Sequence, residues 1–451
     1  MKRFSNVVFL SAALGCGGNS GLTGDDDSPL PDAAPEVDAA PGAEIIHIPA
    51  GDIATSQTWL GRNTYILDGY VFVTGGTLTI EAGATIKGEN GSALAITKDA
   101  KIDAVGTADK PIVFTSNKTP AAPGDWGGVV LLGKAAINVT GGTNPIEGFA
   151  TSFGDRIVYG GGLTPDDTHN CGTLRYARIE YAGFLLAPGN ELNGLTIGGC
   201  GSATQISFIQ SHLGQDDGIE VFGGTVNLSN LVISQPDDDG LDWDLGWTGK
   251  AQFVIVQQKP GRGDKGFEAD NHPNAFDNLP RSAPEIWNAT LIGGDGPASD
   301  KKQGGMHLRR GTAGKVNNAI VAFWNSFGVD VDGAQSVAQF GTGLAITNTY
   351  FLKSTNATAV WPANFDVSGG IENDGGFNEV ALIGNAATNK LDVDPLLTDP
   401  LNIAAPNWKP QAGSPVLTGC GTPPAGMDQT ATFCGAIGAV DWTAKWTAYP
   451  Q

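Results

Sequence analysis

A short phrase that begins with glycine and then largely alternates apolar and polar residues recurs through the middle of the chain. Six copies align without gaps, and they begin at Gly194, Gly218, Gly240, Gly266, Gly305 and Gly328. Successive copies are 24, 22, 26, 39 and 23 residues apart, and further short apolar strands fall between them. A period of 22–26 residues with several short strands per repeat predicts a solenoid, in which each coil packs only on its neighbours. The spacing of 39 residues indicates a coil that carries a loop insertion.

The composition favours strands over helices. Glycine accounts for 65 of the 451 residues, and few windows show the period of an amphipathic helix. Leucine-rich and WD repeats are excluded because their signatures are absent. We therefore predict an all-β fold, a single-stranded right-handed parallel β-helix over residues 45–390, with loop insertions and room for roughly 13 coils. Residues 391–451 are expected to cap its carboxy-terminal end.

Strand alternation assigns the repeat residues to two sides of the coil. In the five copies from Gly218 onward, the first and third residues after the glycine are all apolar and are expected to point inward. The second and fourth residues are expected to point outward, and they include seven carboxylates, one histidine and one arginine. These outward charged residues are Glu220, Asp242, Asp244, Glu268, Asp270, His307, Arg309, Asp330 and Asp332.

The outward carboxylates have two interpretations without catalysis. Like charges stacked at ~4.8 Å repel by about 1 kcal/mol per pair in water, and a solvated acidic face of this kind keeps a rod soluble. Alternatively, the carboxylates bind calcium, which takes several carboxylate oxygens and relieves the repulsion. Acidic turns at residues 216–217 and 237–239 would then add ligands. The candidate calcium ligands on the strands are Glu220, Asp242, Asp244, Glu268 and Asp270.

A third interpretation is catalysis on a polysaccharide. Inverting glycosidases place two carboxylates ~6.5–9.5 Å apart, a distance that two rungs of a β-helix can supply. Asp242 or Asp244 would be the acid and Glu268 or Asp270 the base. His307 and Arg309 would hold an acidic sugar. Convergence of these side chains in a groove would favour an enzyme, whereas a flat solvated ladder would favour binding or solubility.

Four tryptophans are candidates for sugar-stacking platforms, because aromatic rings bind the apolar faces of sugars. They are Trp247, Trp287, Trp324 and Trp361. The alternative is that they fill the ends and loops of the coils.

The amino-terminus has the pattern of a secretory signal. Basic residues at positions 2 and 3 precede a short apolar stretch, and residues 1–15 are predicted to be a lipoprotein signal peptide. The sequence Ala-Leu-Gly-Cys that ends at Cys16 resembles the bacterial lipobox, in which the cysteine is lipidated. The alternative is ordinary signal-peptide cleavage. Residues 16–44 are rich in acids, proline and alanine and are predicted to form a disordered tether.

The four later cysteines fit an oxidising compartment. Cys171, Cys200, Cys420 and Cys434 allow three disulfide pairings, of which Cys171–Cys200 and Cys420–Cys434 are the local ones. Their spacing matches no usual zinc pattern. The net charge of −21 argues against nucleic acid as a partner.

Several phrases resemble a known family. Residues 106–116, the Gly-Asp-Trp-Gly-Gly phrase at 124–128, Gly-Ser-Pro at 413–415 and residues 435–442 are similar to phrases of secreted bacterial β-helix proteins of the pectin-lyase-like superfamily. The polygalacturonase branch carries aspartates, a histidine and an arginine on neighbouring coils, but this chain lacks its Gly-His-Gly and Arg-x-Lys phrases. In the lyase branch an arginine abstracts a proton beside calcium, which implies that role for Arg309 or Arg310.

These observations predict a lipid-anchored, extracytoplasmic protein of the outer membrane or cell surface. Its predicted role is non-catalytic display, adhesion or glycan binding, with calcium as the candidate cofactor. The predicted partner is an acidic or surface polysaccharide or another surface protein, and the membrane is contacted only through the lipid anchor. The alternative is a polysaccharide lyase or glycoside hydrolase that acts on an acidic glycan.

Overall fold

The computed structural model describes residues 42–187, 190–297, 302–361 and 374–451. The predicted signal peptide, Cys16 and the tether up to residue 41 lie outside these ranges. Within the ranges, no helix is long and apolar enough to cross a lipid bilayer.

Ten parallel strands, one from each successive coil, stack into a ten-stranded sheet. We number them as rungs 1 to 10, with one rung per coil. They are Gly51–Ile53, Tyr70–Val73, Ala93–Ile96, Val129–Leu132, Leu195–Gly198, Ile219–Phe222, Leu241–Asp244, Lys265–Ala269, Gly304–Leu308 and Phe327–Val331. The ten rungs and the parallel pairing confirm the right-handed parallel β-helix. Within the described residues this sheet has ten rungs, and the longest insertion between consecutive rungs lies between rungs 4 and 5.

The remaining walls of the coils form a seventeen-stranded parallel sheet. Its strands are Ile45–Ile48, Gln57–Trp59, Thr64–Leu67, Gly76–Ile80, Thr85–Gly88, Ala100–Val105, Ile112–Ser116, Gly172–Glu180, Gln205–His212, Asn227–Ser234, Lys250–Gln257, Glu285–Ile292, Gly314–Asn317, Ile320–Trp324, Leu344–Thr347, Tyr350–Lys353 and Lys390–Leu391. Three antiparallel pairs lie outside the coils: Asn144–Pro145 with Val158–Tyr159, Leu185–Ala187 with Asn190–Glu191, and Leu397–Asp399 with Asn407–Pro410.

Helical segments are short in the described part of the chain. They are a 3-10 helix at Thr151–Ile157, an α-helix at Ala334–Val337, a π-helical turn at Val380–Gly384 and a 3-10 turn at Pro415–Leu417.

The core follows from the alternation of the repeat. All ten residues predicted to point inward from rungs 6 to 10 are at most 1% exposed. The register stacks Ile219 on Leu241 and Leu241 on Phe267, so each apolar side chain lies on its equivalent in the next coil. Burial of apolar surface at about 25 cal/mol per Å² stabilises this stack.

An insertion at residues 133–171 covers the outer face of the ten-stranded sheet. Phe149, Ile157 and Tyr159 of the insertion pack with Phe72 and Leu132, which point outward from rungs 2 and 4. The carboxyl groups of Glu147 and Glu220 are hydrogen-bonded between the insertion and rung 6. The insertion therefore covers part of the outer face of the ten-stranded sheet, which would face solvent in a β-helix without insertions.

The last fifty residues pack along the side of the β-helix. Trp408 and Trp446 are buried together with outward side chains of the seventeen-stranded sheet, such as Val232 and Ile255. The amide of Gln210 also donates to the carbonyl of Ala448 over 2.7 Å. The segment that the sequence assigns to a cap thus shields the outer face of this sheet.

Two disulfides connect the local cysteine pairs. Cys171 is bonded to Cys200 and Cys420 to Cys434. This confirms the local pairing among the three that the sequence leaves open.

Candidate functional site

Rungs 6, 7 and 8 are preceded by acidic turns and carry the acidic outward residues. The phrases are Asp-Asp-Gly-Ile-Glu at 216–220, Asp-Asp-Gly-Leu-Asp at 238–242 and Asp-Lys-Gly-Phe-Glu at 264–268. The register places Glu220 beside Asp242, Asp242 beside Glu268, and Glu268 beside His307. We call the carboxylates of these three phrases, together with Asp244 and Asp270 two residues further along rungs 7 and 8, the acidic column.

The acidic column is largely buried. Asp217, Glu220, Asp239, Glu268 and Asp270 are each at most 9% exposed. Two segments lie beside it: Glu147 of the insertion at 133–171 is hydrogen-bonded to Glu220, and Phe276 of a loop at 271–282 lines a cavity with Glu268. The amide of Asn138 in the insertion donates to the carbonyl of Asn271 in the loop. The interpretation as a solvated acidic face is therefore wrong, because these carboxylates are largely buried. The sequence pattern could not predict this, since it does not reveal which loops fold over the strands.

Neighbouring rungs bring carboxylates together in sets of three. In each set, one oxygen from each residue lies within 4.8 Å of the other two. Two sets join rungs 6 and 7: Asp216, Asp217 and Asp238 form one, and Asp217, Glu220 and Asp242 form the other. Two more join rungs 7 and 8: Asp238, Asp239 and Asp264, and Asp239, Asp242 and Glu268.

Two buried oxygens at the column have no hydrogen-bond partner. One is Oδ1 of Asp242, and the other is Oδ1 of Asn193, a residue that is only 1% exposed. The amide nitrogen of Asn193 donates to Oε2 of Glu220 over 2.6 Å, which places this side chain at the start of the column. A buried oxygen without a partner costs free energy, so these two atoms point to a missing donor or cation.

Burial and mutual repulsion disfavour ionisation along the column. Burial and the charge of Asp238 raise the pKa of Asp216 to about 8, and burial and Asp270 raise the pKa of Asp244 to about 7. The pKa values of Asp217, Glu220, Asp239 and Asp242 lie well above the ordinary range for the same reasons. Either protons or cations must therefore compensate these carboxylates at neutral pH.

The far end of the column is compensated by cations of the chain. Nε of Arg309 lies 2.7 Å from Oδ1 of Asp270, and its guanidinium also contacts Glu268. Nη1 of Arg310 lies 2.6 Å from Oδ2 of Asp270. Nε2 of His307 lies 3.3 Å from Oδ2 of Asp332, and Nδ1 of His307 lies 3.5 Å from Oε1 of Glu268.

These ion pairs fix the protonation of the groups. Although burial acts in the opposite direction, the contacts with His307 and Arg309 lower the pKa of Glu268 to about 2. Burial lowers the pKa of His307, but the carboxylates of Asp332 and Glu268 raise it more strongly. Asp270 and Glu268 likewise raise the pKa of Arg309 despite its burial. Glu268 is thus ionised, and Arg309 is held as a cation.

A cavity of about 290 Å³ opens at this end. Its lining includes Lys265, Phe276, His307, Arg309, Arg310 and Asp332. Glu268 also borders the cavity, whereas Asp242, Asp244 and Asp270 are not among its lining residues. The predicted residues Glu268, His307 and Arg309 therefore meet at a pocket, and the proposed acids Asp242 and Asp244 do not reach it.

The geometry bears directly on the catalytic roles. An arginine held by two carboxylates stays protonated, which disfavours proton abstraction by Arg309. A carboxylate with a strongly lowered pKa, such as Glu268, is a weak general base. The pocket instead brings together fixed cations, the carboxylates of Asp264, Glu268 and Asp332, and the aromatic ring of Phe276.

Sequence reasoning missed two members of the site. Lys265 occupies the position that Asp217 and Asp239 hold in the preceding phrases, so alignment of the repeats contains the signal. Phe276 belongs to a loop outside the repeat, and the sequence offers no signal for its place at the pocket.

The four tryptophans considered as sugar platforms are buried, with exposures of 9% or less. The indole nitrogens of Trp247, Trp324 and Trp361 donate to the backbone carbonyls of Val226, Leu291 and Val329. The sugar-stacking interpretation is therefore wrong for these residues. Trp247, Trp324 and Trp361 belong to the core inside the coils, and Trp287 lies outside it beside Gly421 of the carboxy-terminal segment.

Comparison with known proteins agrees with this architecture. Residues 51–392 match the family described as the pectate-lyase-like beta helix domain. No curated protein and no solved structure matches the chain. The match spans most of the chain and all of the rungs, so the chain belongs to the family of pectate-lyase-like β-helix domains.

Proposed function

We propose that this protein is a non-catalytic binding module whose acidic column holds calcium and whose pocket binds an acidic polysaccharide. The observation that carries the proposal is the buried Oδ1 of Asp242, which has no hydrogen-bond partner and belongs to a residue shared by two carboxylate sets. A cation between neighbouring rungs gives this oxygen a partner and offsets the repulsion that raises the pKa values.

The donor chemistry favours calcium over other metals. The sets contain carboxylate oxygens and no imidazole or thiolate, which are the donors that zinc and copper prefer. Calcium accepts six to eight oxygens in flexible geometries, whereas magnesium demands a near-ideal octahedron and keeps several waters. Irregular sets of aspartate and glutamate along a β-helix suit the more adaptable ion.

The pocket supports an anionic ligand. The side chains of Arg309 and Arg310 are 23% and 38% exposed, and the carboxylate contacts hold both guanidinium groups in place. Part-exposed guanidinium groups can donate to the carboxylate of a sugar acid. The ring of Phe276 offers an apolar surface beside them. A surface location fits this role, and its support is the signal-like amino-terminus and the two disulfides.

A binding assay with polygalacturonate tests the pocket. In buffer with calcium, Arg310→Gln should weaken retention on the immobilised polymer at least tenfold. Arg62→Gln, which changes an exposed arginine on the first coils, should not. Equal retention of both variants would contradict the assignment of the pocket, and absence of retention by the unmodified chain would reject this class of ligand.

A second candidate is a polysaccharide lyase or glycoside hydrolase, favoured by the convergence of His307, Arg309 and Glu268 at the pocket. Incubation with polygalacturonate distinguishes the two candidates. A lyase produces unsaturated ends that absorb ultraviolet light, and a hydrolase produces new reducing ends. Turnover that His307→Ala abolishes would establish the enzyme and reject the non-catalytic proposal.

A further inference from the structure

Lys265 breaks the acidic pattern of the column at one position. Asp217, Asp239 and Lys265 are stacked equivalents on rungs 6, 7 and 8. Oδ1 of Asp217 accepts the backbone N–H of Asp239 over 2.9 Å, and Oδ1 of Asp239 accepts that of Lys265 over 2.5 Å. The first two members of this stack are therefore carboxyl groups, and the third is an ammonium group.

The ammonium group of Lys265 lies among carboxylates. Lys265 is only 3% exposed, and its Nζ is 2.5 Å from Oδ2 of Asp264. The charges of Asp239, Asp264 and Glu268 act on it and raise its pKa in spite of burial. These three carboxylates also belong to the two sets that join rungs 7 and 8. The space between these rungs thus already has a cation supplied by the chain.

The space between rungs 6 and 7 differs in this respect. Asp217, Glu220 and Asp242 form a carboxylate set there, whereas the ion pairs with lysine or arginine at the column involve Asp237, Asp264, Glu268 and Asp270. Asn193, with its unpartnered Oδ1, contacts Glu220 at this same end of the column. The unpartnered Oδ1 of Asp242 belongs to a residue that faces this space as well.

We infer that the column binds a single calcium ion, held between rungs 6 and 7 by Asp217, Glu220 and Asp242, and that the Lys265 ammonium replaces a second ion between rungs 7 and 8. The inference rests on the proposed calcium function and specifies its location and stoichiometry. Of the predicted ligands, Glu268 and Asp270 are then bound by the protein's own cations rather than by calcium.

The number of bound ions tests this inference. Native mass spectrometry of the full chain with calcium should show one tightly bound ion. Lys265→Met removes the ammonium from among Asp239, Asp264 and Glu268, and should raise the number to two. Lys315→Met changes an exposed lysine on the other sheet and should leave one ion.

Two further variants test the position without altering Lys265. Glu220→Gln should abolish the single ion, whereas Glu268→Gln should retain it. In the double variant of Glu220→Gln with Lys265→Met, one ion should remain, now between rungs 7 and 8. Should Lys265→Met fail to fold, the two glutamine variants still decide where the ion is bound.

The outcomes separate the two levels of the proposal. Absence of bound calcium from the unmodified chain would reject the calcium function itself. Two ions in the unmodified chain, an unchanged single ion in Lys265→Met, or loss of the ion in Glu268→Gln but not in Glu220→Gln would overturn the inference and leave calcium binding intact.

Discussion

At the scale of single residues, Asp242 connects the sequence pattern to the proposed chemistry. It lies one rung from Glu220 and one rung from Glu268, it belongs to carboxylate sets on both sides, and its Oδ1 is buried without a partner. Without a bound cation, the Asp242 carboxylate repels its neighbours on the column. With a cation bound, it is one of the ligands. Its substitution should therefore have opposite effects in the two conditions.

Asp242→Asn tests this reversal. In chelator, the variant should be at least as stable as the unmodified chain, because the column loses one repelling charge. In calcium at about 100 times the Kd, the unmodified chain should gain about 2.7 kcal/mol of unfolding free energy. The variant should gain less than half of that. Denaturant unfolding measures the stability in chelator and the gain in calcium. The control is Asp103→Asn, which changes an exposed aspartate of another coil. An equal calcium-dependent gain in the Asp242 variant would contradict its role.

At the scale of structural elements, the acidic column is defined by the rungs but its environment is defined by the insertions. The alternation of the repeat predicts which residues point inward, and the structure confirms all ten. It also predicts that the acids stack. It does not predict their burial, because Glu147 and Glu220 lie 73 residues apart and no pattern in the sequence indicates that the insertion folds over rung 6.

The pH dependence of stability is a property of the column. With raised pKa values, such as about 8 for Asp216 and about 7 for Asp244, the folded state binds more protons than the unfolded state between about pH 4 and pH 8. In chelator, the free energy of unfolding should therefore fall as the pH rises through this window. Glu268 has a lowered pKa, so its contribution is present above about pH 4.5 and is lost only in stronger acid.

Calcium should reduce or reverse this decrease in the free energy of unfolding with rising pH. The ion favours the ionised carboxylates, and its binding strengthens as they lose protons. Urea unfolding at pH 5.5 and pH 8, each with calcium and with chelator, measures the four free energies. Stability in chelator that rises from pH 5.5 to pH 8 would contradict the account of the column.

The carboxy-terminal segment is the second element whose placement depends on tertiary contacts. Trp446 is fully buried, and its ring packs edge-on against Tyr176 and Phe208 of the seventeen-stranded sheet. Trp446→Ala should cost about 3–5 kcal/mol of unfolding free energy, whereas Val440→Ala, at a position that is 75% exposed, should cost almost nothing. Equal costs in chemical denaturation would show that the segment is not packed as described.

At the scale of the whole molecule, the sequence predicts the architecture well because the repeat specifies it coil by coil. The local disulfides follow from the same proximity, since they join cysteines 29 and 14 residues apart. The pocket is harder to predict. Phe276 lies in the insertion between Gly266 and Gly305, and it meets Arg309 and Arg310 only after this insertion has folded back on the rungs. The site therefore depends on insertions, which the repeat does not encode.

The predicted anchor is also a property of the whole chain. If Cys16 carries the lipid, Cys16→Ser should move the protein from the membrane fraction to the soluble extracytoplasmic fraction, because neither a membrane-spanning helix within the described residues nor the acidic tether would retain it. Fractionation followed by immunoblotting measures this. Undiminished membrane retention of the variant would contradict lipidation at Cys16.

The central claim is that the buried carboxylates between neighbouring rungs hold calcium. The most direct measurement is thermal unfolding of the full chain in chelator and then in calcium at about 100 times the Kd. A rise in Tm of roughly 3 °C for one bound ion is the predicted result. An unchanged Tm at every calcium concentration, with the chain folded in chelator, would contradict the claim.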